Sequence, residues 1–148
     1  MTLEERINED IKHAMLAKEA HKLAALRAVK AAVLLKKTEG EVHEVTDADV
    51  VKIMQKLVKQ RKESAQLYTD AGRAELADNE LAEAAYIEAY LPRQMSQDEL
   101  ESALREVIAQ VGAKSPADMG KVMGVAVKQF NGLADGKAIS ETVKKLLA

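Results

Sequence analysis

The chain has no cysteine, no tryptophan, one phenylalanine and two prolines among 148 residues. Without cysteine there is no disulfide, no thiolate metal site and no thiol nucleophile, and nothing calls for an oxidising compartment. At 3% aromatic residues it lacks the ring platforms on which single-stranded nucleic-acid binders stack bases. No hydrophobic run approaches membrane-spanning length, and the opening MTLEERINEDIKHAM is acidic and amphipathic, unlike a signal peptide. The expected location is therefore the cytoplasm, with no membrane partner. A nucleotide-binding P-loop is missing too. Its pattern needs a glycine, four residues, then Gly-Lys-Ser/Thr, whereas Gly120-Lys121 and Gly136-Lys137 are followed by Val122 and Ala138.

Alanine, leucine, valine, methionine and isoleucine supply most of the 47% hydrophobic content, and 31% of residues are charged. That mixture suits helices. The expected fold class is all-α with two helical lobes: a larger N-terminal bundle over residues 1–92 and a small three-helix C-terminal lobe over residues 93–148. Leu3, Ile7, Ile11, Ala14, Met15 and Lys18 follow the spacing of one helical face, and Leu23, Leu26, Val33 and Leu34 resume it after a polar interval; two helices or one bent helix fit equally. Thr46 with Asp47 and Asp49 starts a long helix whose stripe is Val50, Met54, Leu57, Val58, Ala65 and Tyr68, stopped at Asp70-Ala71-Gly72. The next runs from Ala74 with Leu76, Leu81, Ala84, Ala85 and Ile87 apolar and closes before Pro92. Ser96-Gln97-Asp98-Glu99 is a capping box ahead of Leu100, Leu104, Val107, Ile108 and Val111, with Gly112 as the stop. Ser115-Pro116 opens a further helix that Asn131-Gly132 closes, and Ser140 is the expected N-cap of the last. Val42 to Val45 alternates like a strand but is too short to matter.

Four of the seven glycines and three lysines fall between Met119 and Ser140. Met119, Val122, Met123, Ala126, Val127 and Phe130 take the core side of the wheel, leaving Gly120, Gly124, Lys121 and Lys128 largely outward. A glycine inside a helix costs about 1 kcal/mol relative to alanine, so two of them one turn apart need a reason. One reading is that a sugar-phosphate backbone lies against the bared helix, neutralised by Lys121 and Lys128 with Lys137 joining from the following turn. The other is that the glycines admit a neighbouring protein helix and the lysines are merely solvated. From Ala113 onward six lysines face three acids, a surplus of +3 within a net charge of -2. Surpluses of this size also occur on surfaces that bind nothing.

Lys52, Lys56, Lys59 and Lys62 form a second basic face, read as the solvated side of a long helix. Arg61 falls inside an apolar stripe and requires an acidic partner, for which Glu63 to Glu88 offers several. His13, His21 and His43 share no ligand spacing. Tyr86 and Tyr90 are expected as core aromatics, either being able to present its hydroxyl at a lobe junction. No nucleophile set, metal set or cofactor site is indicated.

LRAVKAAV (26–33), KQRKESAQLYTDAGR (59–73), YIEAYLPRQMSQDEL (86–100), MGKVMG (119–124) and ADGKAISETVKKLL (134–147) together resemble the YqeY-like proteins. These in turn resemble the C-terminal tail of the GatB component of the glutamyl/aspartyl-tRNA amidotransferase. The resemblance covers almost the whole chain and implies an all-helical fold of two lobes. It also implies contact with tRNA, at Gly120, Lys121, Gly124, Lys128 and Lys137, which stand at matching motif positions. Nothing matches that enzyme's catalytic domain, so carbon–nitrogen ligase activity with glutamine as amido donor is implied as a family label alone. Three functions follow: a non-catalytic module for tRNA or another structured RNA, with DNA not expected; a helical module docking an amidotransferase or aminoacyl-tRNA synthetase; or an amidotransferase component. Aromatic poverty favours RNA read by shape and backbone.

Overall fold

A computed structural model describes residues 1–41 and 44–148. The expected alternation at Val42 to Val45 falls partly outside these residues, as does His43. Among the described residues there are seven α-helices, one 3-10 turn and no strand, an all-α fold. The chain divides into two compact units, Met1–Leu91 and Pro92–Ala148.

The first unit contains α1 (Leu3–Leu16), α2 (Ala20–Thr38), α3 (Asp47–Asp70) and α4 (Ala74–Glu88). Thr2 with Glu5 and Thr46 with Asp49 close capping boxes at the starts of α1 and α3, each pair satisfying two otherwise free N–H groups. Between α1 and α2 the chain breaks at Lys18, which takes a left-handed φ of 57° with no glycine to ease it. Two helices, rather than one bent one, result. Gly72 turns the chain from α3 into α4 at φ 73°.

Ile7, Leu26, Met54 and Ile87 are the largest fully buried side chains of this unit, one from each helix. Leu26, Val29 and Val33 repeat at helical spacing on α2, and Val50, Met54 and Val58 on α3. Several leucines expected on core faces are instead exposed: Leu34 at 51%, Leu81 at 47% and Leu76 at 37%, with Met15 at 50%. On α4 the buried face is Ala77, Ala84 and Ile87, and Ala85 is exposed. Ala77 and Ala84 let α4 lie close to α3, its most extensive neighbour, while Leu76 and Leu81 are turned outward and Ile87 alone brings a large side chain to the buried face.

Polar ties reinforce this packing. The Arg61 guanidinium lies 3.6 Å from the Glu83 carboxylate, both side chains largely buried, which supplies the acid that Arg61 requires. Lys62 pairs with Glu88 at 2.8 Å. Neither tyrosine of α4 and its C-terminal turn is fully buried. Tyr86 is 37% exposed, while the half-buried Tyr90 donates its hydroxyl to the Asp10 carboxylate and stacks under Arg6, 4.8 Å from guanidinium to ring centre.

The second unit contains α5 (Gln97–Val111), a 3-10 turn (Pro116–Asp118), α6 (Met119–Gln129) and α7 (Gly136–Leu147). Ser96 and Glu99 form the capping box of α5, and Gly112 ends that helix at φ 69°. Glu99 also receives a two-pronged bond from Arg93, 3.0 Å on each arm. Leu104, Val107, Val122, Ile139 and Val143 form the centre of the core, with Phe130 and Leu147 closing it. Two expected caps are replaced. Ser115 makes no capping bond; Asp118 instead accepts the Lys114 N–H at 2.9 Å. Ser140 lies inside α7, whose N-cap is Asp135, accepting from the Lys137 N–H. A serine and an aspartate five residues apart offer the same local signal, and burial of Ile139 one turn after Asp135 selects the earlier start.

Candidate nucleic-acid interface

The connection after α6 is anchored by two bonds: the Met95 N–H donates to the Leu133 carbonyl at 2.9 Å, and the Gln94 amide to the Gly132 carbonyl at 2.8 Å. Behind α6, Val122, Ala126 and Phe130 are buried at successive four-residue steps, with Met119 and Met123 half-buried beside them. That stripe orients the helix. Its opposite side carries Gly120, Lys121, Gly124, Val125 and Lys128, all exposed.

Val127, placed by periodicity in the core stripe, is 42% exposed and continues the line of Gly120 and Gly124 one turn on. Val125 is 37% exposed. Hydropathy does not mark these two valines as surface groups; their angular distance from Val122 and Ala126 is the signal that does. Gly124 is interior to α6, whereas Gly120 stands in its first turn, directly after the 3-10 turn. A Cβ built on either glycine meets no atom within 4 Å. Nothing among the described residues occupies the space these glycines leave.

Among the described residues no carboxylate lies within 4.0 Å of the ammonium of Lys121 or Lys128. Lys121 acts electrostatically on its surroundings. The Asp118 carboxyl is held below the ordinary aspartate range chiefly by the Lys114 N–H, with Lys121 and Lys114 charges adding to that. Lys137 is not on this helix. It stands exposed in the first turn of α7, its ammonium 4.0 Å from Glu141, one turn along. Thus four of the five candidate residues share one helix and one face, and the fifth is contributed by the next helix.

An exposed strip of main chain flanked by two cations that make no close ion pair, two turns apart, can accept an anionic polymer, the ammonium groups meeting phosphate oxygens. His13 and His21 remain outside any metal-binding group: none is present among the described residues. No described helix is long and apolar enough to cross a membrane.

A comparison with curated proteins returned no match. The family model described as Yqey-like protein matches residues 4–147, both units included, and the chain belongs to that family.

Proposed function

We propose that the protein is a non-catalytic RNA-binding accessory module that holds the backbone of a structured RNA, tRNA foremost, against α6. Gly120 and Gly124 let the sugar-phosphate chain approach the helix, Lys121 and Lys128 neutralise phosphates, and Lys137 adds a third cation from α7. The observation that carries this reading is the open space at both glycines beside Lys121 and Lys128, which have no carboxylate within 4.0 Å among the described residues. The resemblance of the chain to the tail of the amidotransferase GatB component supports tRNA as the RNA and an amidotransferase or aminoacyl-tRNA synthetase as the enzyme it serves, in the cytoplasm.

The test is a tRNA titration at several salt concentrations. Log affinity falls linearly with log salt, and each lysine removed from phosphate contact lowers the slope by about 1. Lys121→Ala with Lys128→Ala is expected to reduce the slope by about 2. An unchanged slope refutes the assignment.

A second reading is favoured by one observation, the exposure of Val127 in line with the glycines. Here the bared face docks a partner helix, as small residues at four-residue spacing permit. Val127→Ser separates the two without adding charge or bulk: it weakens capture of an enzyme partner under the second reading and leaves the salt slope of tRNA binding in place under the first.

A further inference from the structure

The first unit is divided in charge. From Ala20 to Thr38, α2 carries Lys22, Arg27, Lys30, Lys36 and Lys37 and no acid, while residues 63–91 hold seven acids against Arg73 alone. The cationic side belongs to α2 and to the adjoining part of α3, where Lys52 and Lys56 are exposed. Between these two helices runs a groove of about 280 Å³. Ala32 and Leu35 from α2 and Ile53 and Leu57 from α3 give it an apolar lining; Lys36 and Lys56 stand at it, one from each helix, and Gln60 and, just past the end of α2, Glu39 complete the rim. Leu35 is 72% exposed and its neighbour Leu34 51%. Lys36 is engaged by Glu39 at 3.6 Å in a solvent-exposed contact one turn along, which is weak enough to exchange for another carboxylate. Among the described residues Lys56 has no carboxylate within 4.0 Å.

We propose that this groove docks an acidic amphipathic helix of a partner protein. The chemistry of the lining selects that occupant. A third helix fits the furrow between two others, with apolar anchors at three- and four-residue spacing entering it. Lysines contributed by both helices favour glutamate or aspartate on either flank of that apolar stripe, and they oppose a basic helix. RNA backbone matches the lysines but leaves Leu35, Ile53 and Leu57 facing phosphate, so it gains nothing from the apolar lining. The groove is in the first unit and rests on none of the argument for α6.

The experiment uses the full chain and a fluorescein-labelled, alanine-based helical peptide of about eighteen residues, with leucines along one face and glutamates on both flanks. A comparator carries lysine in place of every glutamate. The glutamate peptide is expected to bind, and the lysine peptide to bind at least about tenfold more weakly. Leu35→Asp and, separately, Lys56→Glu are each expected to weaken the glutamate peptide by about tenfold. Both positions are exposed, so far-ultraviolet circular dichroism should show unchanged helicity. The proposal is overturned if neither peptide binds, if both bind equally, or if Leu35→Asp leaves binding intact. It is equally overturned if sedimentation shows a self-association that Leu35→Asp abolishes, which makes a second copy the occupant. Displacement of the peptide by tRNA, coupled with tRNA binding that depends on Lys56 but not Leu35, assigns the face to RNA instead.

Discussion

Arg61 on α3 and Glu83 on α4 pair at 3.6 Å in a largely enclosed position, and the Arg61 Nε is buried without a hydrogen-bond partner. The pair is therefore more a constraint on which faces of α3 and α4 meet than a large source of stability. Glu83→Ala leaves the guanidinium enclosed without its counter-charge and is expected to cost about 2–4 kcal/mol in urea denaturation. The double change Arg61→Met with Glu83→Ala should recover most of that loss. A double variant as unstable as the single one would show that the charges contribute more than their packing.

Gly124 is expected to trade stability against binding. Since an added Cβ meets nothing within 4 Å, Gly124→Ala should raise stability by about 1 kcal/mol through helix propensity alone. The methyl group then stands where an RNA backbone is proposed to lie. Weaker tRNA binding by a more stable protein is the expected combination, read from urea midpoints and titrations of the same preparation.

On the acid side, Glu99 is held below the ordinary glutamate range, first by its bond from Arg93 and then by the Ser96 N–H and hydroxyl. A carboxyl depressed in the folded state stabilises above its unfolded pKa of about 4.3, and that contribution is lost as pH falls through the folded value. Urea midpoints should accordingly decline below about pH 4.5. Glu99→Gln keeps a side chain able to serve the capping box but cannot titrate. Its midpoint is expected to be lower at neutral pH and to fall less between neutral and acid conditions.

On the alkaline side the sign reverses. Burial, then the hydrogen bond to Asp10, raises the Tyr90 hydroxyl well above the ordinary tyrosine range. A group raised in the folded state contributes fully below its unfolded pKa of about 10, and the contribution is lost as pH rises through the folded value. Ultraviolet titration should show one of the three tyrosines ionising late, and Tyr90→Phe should remove that late step. The same variant is expected to lose about 1 kcal/mol at neutral pH.

The helix boundaries that follow from local chemistry are readable from the sequence: Thr46, Ser96 and Gly112 each act through atoms a few residues away. What periodicity cannot supply is which apolar residues a neighbour covers. Alanines at 77 and 84 lie buried on α4 while Leu76 and Leu81 remain outside, because close helix approach selects small side chains and a hydrophobicity pattern favours large ones. The same blindness misplaces Val127. On α6 the sequence puts four candidate residues on one face, but only coordinates show that the glycines open onto empty space. Nothing in the sequence pattern points to the groove at Leu35. Its lining comes from helices separated by a connection, and no single-helix pattern joins them.

Lys18 adopts a backbone shape that its own residue type disfavours, between neighbours that are all good helix formers. The turn is nonetheless closed locally: the Glu19 N–H donates to the Ala14 carbonyl at 3.0 Å and the Lys18 N–H to the Met15 carbonyl at 3.3 Å, so α1 ends in a bonded left-handed cap. A side chain in the left-handed region costs about 1–2 kcal/mol, and that cost, borne by one residue, is what reverses the chain between the first two helices without a glycine.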